Sequence, residues 1–249
     1  MILAVDIGNT NINIGIFQGK KLISHFCINN KSLINQKAAF PLSSSLLNQT
    51  KNILIASVNP KMEPLFHKHL GKKHKKKLLK IGREIKLKMP ILVDNSQKVG
   101  IDRLLNTLAA YRRTKTSTIV IDFGTAITID IVSKNGEFLG GLILPGIRTS
   151  AYALNKQTAL LPEVVIKRTK NIIGKNTEDA IKAGIYFGTV GSIIHIIREI
   201  RKVYGDMQKI IATGGDAKTF KKDISEIDKV IPRLTLEGIR IAFKESLNP

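Results

Sequence analysis

Two acids in this chain, Asp6 and Asp122, each close an apolar run, and each is followed two residues later by a glycine. The first stretch reads Leu3-Ala4-Val5-Asp6-Ile7-Gly8-Asn9-Thr10, the second Val120-Ile121-Asp122-Phe123-Gly124-Thr125-Ala126. Glycine lets a backbone approach a phosphate with its N–H groups aimed at the oxygens. Asn9 and Thr10 add side-chain donors, and an acid at a strand end beside phosphates is placed to hold Mg²⁺ through water. Either copy alone is also an ordinary hairpin turn. Recurrence half a chain away is what favours a pair of phosphate-holding hairpins. The chain has no G-x-x-x-x-G-K-[ST] loop, which disfavours a P-loop nucleotidase.

A third constellation is Gly100-Ile101-Asp102-Arg103. Its carboxylate could take a proton from a hydroxyl nucleophile, and its arginine could grip a carboxylate in a bidentate pair. On pattern alone, a helix start with an acid serving the macrodipole is the better reading. Gly140-Gly141-Leu142-Ile143-Leu144-Pro145-Gly146 and Thr213-Gly214-Gly215-Asp216 are glycine-rich strand ends; the second precedes a short helix and could flank an adenine or ribose. Gly-Gly pairs are equally plain turn signals. His67, His69 and His74 sit among lysines that would repel a cation, so a metal site there is disfavoured. His195 reads as a core or interface histidine within an apolar helix.

The elements that must position these residues repeat in order. Strands are predicted over 1–7, 11–18 and 20–28, then a weakly helical stretch over 31–49 broken by Pro41, and a strand over Ile53–Val58. Asn59-Pro60 is predicted to start a helix, with Asn59 as its cap. Lys77–Ile81 reads as a strand and Val99–Arg112 as a helix. Strands over Ser117–Asp122, Ala126–Ser133 and Glu137–Leu144 follow, the last two joined by Lys134-Asn135-Gly136, a strong hairpin signal. A long helix spans Thr177–Tyr204 behind a capping box at Asn176 or Thr177, and its Gly184, Gly188 and Gly191 suggest close helix packing. A strand over Lys209–Ala212 and a closing helix over Ile231–Leu247 complete the pattern. This order predicts an α/β protein of two similar mixed-sheet domains, 1–114 and 115–249, with a cleft between them.

Composition narrows the partners. The 249 residues include 43% hydrophobic ones, enough for a substantial core rather than disorder. The single cysteine, Cys27, excludes an intrachain disulfide and reads as a small buried hydrophobe. No leader is recognisable and no uninterrupted apolar run reaches a membrane span, so the expected location is the cytoplasm without membrane attachment. The net charge of +21 invites a nucleic-acid reading. Against it, lysine dominates over arginine along the whole chain, and the densest run, Lys72–Lys80, has no aromatics to stack on bases. That run reads as a solvated segment, a polyanion patch being the alternative.

Taken together, Asp6-x-Gly-Asn-Thr10, Gly100-x-Asp-Arg103, Asp122-Phe-Gly-Thr-Ala126, Gly140-Gly-x-Ile-x-Pro-Gly146 and Thr213-Gly-Gly-Asp216 resemble type III pantothenate kinases, in order and over essentially the whole chain. The resemblance implies the acetate kinase/sugar kinase/Hsp70/actin fold, with two RNase H-like domains. It also implies transfer of phosphate from ATP to pantothenate, the first step towards coenzyme A. Under it, Asp6, Ile7, Gly8, Asn9, Thr10, Asn11, Ile12 and Asn13 would form the first phosphate loop, with Asp6 near Mg²⁺. Asp102 would be the general base, and Gly100, Ile101, Asp102 and Arg103 would line the pantothenate pocket. Asp122 would hold a monovalent cation, potassium or ammonium; Thr125 would contact ATP and Thr177 pantothenate. The protein would be a homodimer with the long helix near its interface. The family pattern Tyr-Asp-Asn-Pro is replaced here by Val93-Asp94-Asn95-Ser96, so Val93 stands where a tyrosine helps shape the pantothenate pocket. The competing reading is a kinase-fold regulator without catalysis, as the older name Bvg accessory factor suggests.

Overall fold

The computed structural model describes residues 1–35, 40–205 and 209–247, with all side chains in them but those of residues 72 and 73. The chain divides into two compact units, Met1–Arg112 with Arg233–Pro249, and Arg113–Pro232.

The first unit contains β1 (Ile2–Ile7), β2 (Asn11–Gln18), β3 (Lys21–Asn29), α1 (Asn30–Ile34), α2 (Ser44–Gln49), β4 (Asn52–Ser57), α3 (Glu63–Lys75), β5 (Leu78–Lys80) and α4 (Ile101–Thr114). The strands form one sheet in the order β3-β2-β1-β4-β5. β1 runs antiparallel to β2 and parallel to β4. As the central strand it is almost uniformly apolar, as expected where both sheet faces are covered. Leu3, Val5 and Ile7 face a core completed by Leu33, Leu47, Phe66 and Leu70. The helix expected at Asn59 begins later: Met62 N–H donates to Asn59 O in a turn, and α3 starts at Glu63 without a side-chain cap. Part of the weakly helical stretch expected over 31–49 lies outside the described residues; the rest holds α1 and α2. Cys27 is exposed on β3 rather than buried, because its strand is a sheet edge.

The closing helix, Leu234–Ser246, corrects the expected 114/115 division. It packs on β1, β2 and β4 of the first sheet. Leu236 meets Gly15 of β2, and Gly238 lies so close to α4 that a Cβ there would sit 2.3 Å from Leu105 O. Thr235 Oγ1 donates to Asn106 Oδ1 at 2.9 Å, and Glu245 accepts both Nε and Nη2 of Arg112. Local pattern cannot reveal this, since an amphipathic helix does not say which sheet its apolar face will cover.

The second unit contains β6 (Thr118–Phe123), β7 (Ala126–Val132), β8 (Phe138–Pro145), α5 (Ile147–Gln157), α6 (Thr177–Tyr204), β9 (Lys209–Gly214), α7 (Ala217–Phe220) and β10 (Lys229–Val230). The sheet order is β10-β9-β6-β7-β8, the first sheet's order read backwards with each strand replaced by its counterpart. Asp6 and Asp122 are each the fifth residue of a six-residue strand. Each pairs with the third residue of the following strand, Asn13 and Thr128. The duplication inferred from two short motifs extends to topology and register.

α6 presents Ile181, Tyr186, Val190, Ile193, Ile197 and Ile200 to this unit's core. Its most apolar 18-residue window has a mean hydropathy of 1.5, so by length and composition alone it could cross a bilayer. One such helix is a weak sign, because core helices share that composition. Gly184, Gly188 and Gly191 do not pack against other elements: apart from chain neighbours and the backbone of α6 itself, no described atom lies within 4 Å of where their Cβ atoms would be. His195 is exposed on the same helix, 4.0 Å from Glu199, and so is not a core residue.

Candidate functional site

In the first unit, Asp6 is the penultimate residue of β1, and Gly8 to Thr10 form the turn into β2. Asn13, across the hairpin from Asp6, donates its amide to Asp6 Oδ2 at 3.4 Å. One carboxylate at a strand end, beside a turn rich in N–H groups, suits Mg²⁺, which keeps most of its water and takes few protein ligands. The turn is braced from behind by Asn30, whose side-chain amide donates to Gly8 O (2.9 Å) and Asn9 O (3.0 Å). Ile7 and Ile12 point into the core and support the hairpin rather than face a ligand. No motif singled out Asn30. Its one sequence signal is a pair of asparagines closing a strand beside the turn.

Gly100 to Arg103 also lie in the first unit. Asp102 is in the first turn of α4, and its Oδ1 accepts the Arg103 N–H at 2.8 Å. Burial pushes the Asp102 carboxyl above its ordinary 3.8, with the Arg103 N–H and guanidinium opposing the shift. A raised carboxylate is a stronger base than a solvated one. A Cβ on Gly100 would fall 2.6 Å from Asp102 Oδ1, so a larger residue there would push that carboxylate aside. Val93 is half-buried ahead of a short 3₁₀ turn, Ser96–Lys98, that leads into Gly100.

In the second unit, Asp122 and Thr125 lie on the β6–β7 hairpin. Gly214 at the end of β9 has φ +93, and a Cβ there would sit 2.5 Å from Asp122 Oδ1. Gly124 is the other neighbour, at 3.7 Å. Glycines on both sides therefore let the backbone come close to this carboxylate; no cluster of three or more His, Cys, Asp or Glu occurs among the described residues. Thr125 O accepts from Gly146 N–H (3.0 Å) and from Thr149 Oγ1 (2.6 Å). Thr177 is the first residue of α6, whose cap is Asn176, accepting Asp179 N–H at 2.9 Å.

A cavity of about 810 Å³ opens beside Asp216, between α5 and the segment 163–168. Its basic lining residues Arg148, Lys167, Arg168, Lys218 and Lys222 outnumber the carboxylates Glu163 and Asp216, so its charge balance favours an anion. Arg148 Nη2 stands 3.6 Å from Asp216 Oδ1. The sequence reading assigned no element to α5, of whose eleven residues only Ile147 and Ala151 are buried. The long connection from α5 to α6 is anchored by Arg168, which donates twice to Asp223 at 2.7 Å. Tyr186 donates to the same carboxylate. These bonds, Arg168 first, hold the Asp223 carboxyl at about 2, while burial and that carboxylate push the Tyr186 hydroxyl to about 12.

Two lysines of the basic run are taken up by the fold. Lys77 Nζ donates to Leu47, Asn48 and Thr50 carbonyls at the end of α2, and Lys80 pairs with Glu63 at 3.0 Å. This favours the solvated-segment reading over a dedicated polyanion patch.

A profile of type III pantothenate kinases matches residues 2–199. The chain belongs to the type III pantothenate kinase family. The family member from Geobacter sulfurreducens, named a type III pantothenate kinase, is 37% identical over 99% of both chains. The solved structure of a candidate Baf family transcriptional activator from Campylobacter jejuni aligns over 100% of both chains, with a TM-score of 0.62 and 26% identity. Component A of the (R)-2-hydroxyglutaryl-CoA dehydratase from Acidaminococcus fermentans aligns over 99% of both at a TM-score of 0.53 and 13% identity, a likeness of fold alone. The duplicated, actin-like architecture of the pantothenate kinase family is thus the architecture of this chain.

Proposed function

We propose that this protein transfers the γ-phosphoryl group of ATP to the primary hydroxyl of pantothenate. The observation that carries the reading is the Asp102 constellation, a base-strengthened carboxylate at a helix start, in a chain that matches the family over residues 2–199. In this reading Asp102 takes the hydroxyl proton as the oxygen attacks, and Arg103 orients pantothenate through its carboxylate. The hairpin Asp6–Asn13 holds phosphates by its turn N–H groups, and Thr125 contacts ATP from the second hairpin. Asp6 would hold Mg²⁺ through water, and Asp122 would hold potassium or ammonium; these cations supply charge neutralisation on the phosphates. Thr177 contacts pantothenate, and Val93 leaves its pocket without the tyrosine hydroxyl. The protein works in the cytoplasm, without nucleic acid.

A coupled assay of ADP release, with and without pantothenate, tests this reading. Release that depends on pantothenate is expected. A protein that releases no ADP in the presence of pantothenate would instead support the alternative, a kinase-fold regulator without catalysis.

We further propose a homodimer built on α6. Its open glycines and the half-buried Ile194 and Ile196 give a second copy a surface for close packing. Light scattering is expected to give twice the chain mass; a monomer at assay concentration would refute it.

A further inference from the structure

We propose that Asn30 is a positioning residue for the nucleotide phosphates, acting through the Gly8–Asn11 turn; this rests on reading that turn as a phosphate loop. Three successive carbonyls of the turn are gathered to one side by one residue. The Asn30 amide donates to Gly8 O at 2.9 Å and to Asn9 O at 3.0 Å, and its backbone N–H donates to Thr10 O at 2.9 Å. In a trans peptide the carbonyl of one residue and the N–H of the next point in opposite directions. Holding the carbonyls of residues 8, 9 and 10 towards Asn30 therefore turns the N–H groups of Asn9, Thr10 and Asn11 to the opposite side. Successive N–H groups on one side of a turn form an anion-binding concavity.

Asn30 itself is 5% exposed, and its Oδ1 has no hydrogen-bond partner in the structure. Two carbonyl acceptors fix the amide's orientation, so the nitrogen faces the turn and the oxygen faces away from it. Asn30 is held in place by its neighbour Asn29, which caps α1 by accepting the Lys31 N–H at 3.0 Å.

The second unit supplies an independent parallel. There, too, the segment just after the third strand braces the hairpin turn: Gly146 N–H and Thr149 Oγ1 both donate to Thr125 O. The second turn has one carbonyl, Thr125 O, held in this way, against three in the first, and a hydroxyl takes the place of the side-chain amide. Repetition with changed chemistry points to a shared requirement, a turn whose carbonyls are held back.

The test compares Asn30→Asp, which keeps the shape and removes the donor, with Asn30→Thr, which keeps a donor of the kind Thr149 provides. Asn9→Asp puts a charge on the exposed tip of the turn and tests the phosphate-loop reading separately. Asn30→Asp is expected to weaken MgATP binding by about tenfold or more in calorimetry, since two hydrogen bonds are lost. The KM for pantothenate should stay nearly constant, and Asn30→Thr should recover part of the affinity. If Asn9→Asp weakens ATP binding and Asn30→Asp does not, the positioning role is overturned while the phosphate loop stands. If neither does, both fall. Equal losses for ATP and pantothenate in Asn30→Asp would show a general loosening and overturn the proposal. Should Asn30→Asp not fold, amide exchange in the wild-type protein decides. Asn9, Thr10 and Asn11 amides gaining protection with MgATP is expected, and no gain refutes the role.

Discussion

Asp102→Asn is expected to lower kcat for pantothenate phosphorylation by about 10²–10⁴, the usual loss when a general base is removed. ATP affinity and fold should be retained, because an asparagine oxygen can still accept the Arg103 N–H that Asp102 Oδ1 accepts at 2.8 Å. The same substitution should not destabilise the protein at neutral pH. A carboxyl whose folded pKa is raised favours folding at low pH, and that contribution is lost as pH rises through the folded value. At pH 7 the ionised, buried Asp102 opposes folding, so the neutral asparagine should melt at the same temperature or higher. The advantage should vanish below the ordinary value of 3.8, where both states are protonated. The acid limb of kcat should likewise lie above 3.8. Wild-type turnover in the variant would remove Asp102 from the mechanism, and a variant that melts much lower at pH 7 would contradict the burial argument.

Removing the cation that Asp122 is proposed to hold should have an effect nearly as large. Activity in potassium or ammonium buffer is expected to exceed that in sodium-only buffer, and Asp122→Asn should lower kcat by about 10², the scale of one lost electrostatic stabiliser. The variant should also lose the distinction between the three buffers. Wild-type rates that are equal in all three would count against the assignment. So would an Asp122→Asn enzyme that still discriminates between the three buffers.

Much of the fold was legible because it rests on local signals. The strand ends at Asp6 and Asp122, the Asn-Gly turn at 135–136 and the cap at Asn176 are short-range features whose physics is contained in a few residues. The second unit's helix after Pro145 was not read: it follows directly on a glycine-rich strand end and buries only Ile147 and Ala151 of its eleven residues. Asn30 was hidden for a different reason. Its role depends on the turn at Gly8, which lies on another strand, and only the register of β2 against β3 brings the two together. The cavity beside Asp216 is similarly assembled from three separate segments. The Gly100–Arg103 segment was legible as a motif, but the upward shift at Asp102 depends on burial that spacing cannot show.

The return of the C-terminal helix to the first sheet bears on how the chain is made. The second unit is one continuous stretch, so it can close as soon as Pro232 has left the ribosome. The first sheet emerges earlier but must wait with one face bare until Leu234–Ser246 follows, roughly half the chain later. During synthesis the order of completion is therefore the reverse of the order in sequence. A nascent chain stopped at residue 232 holds a finished second unit, while Gly15 and the Leu105 carbonyl still lack Leu236 and Gly238 to cover them.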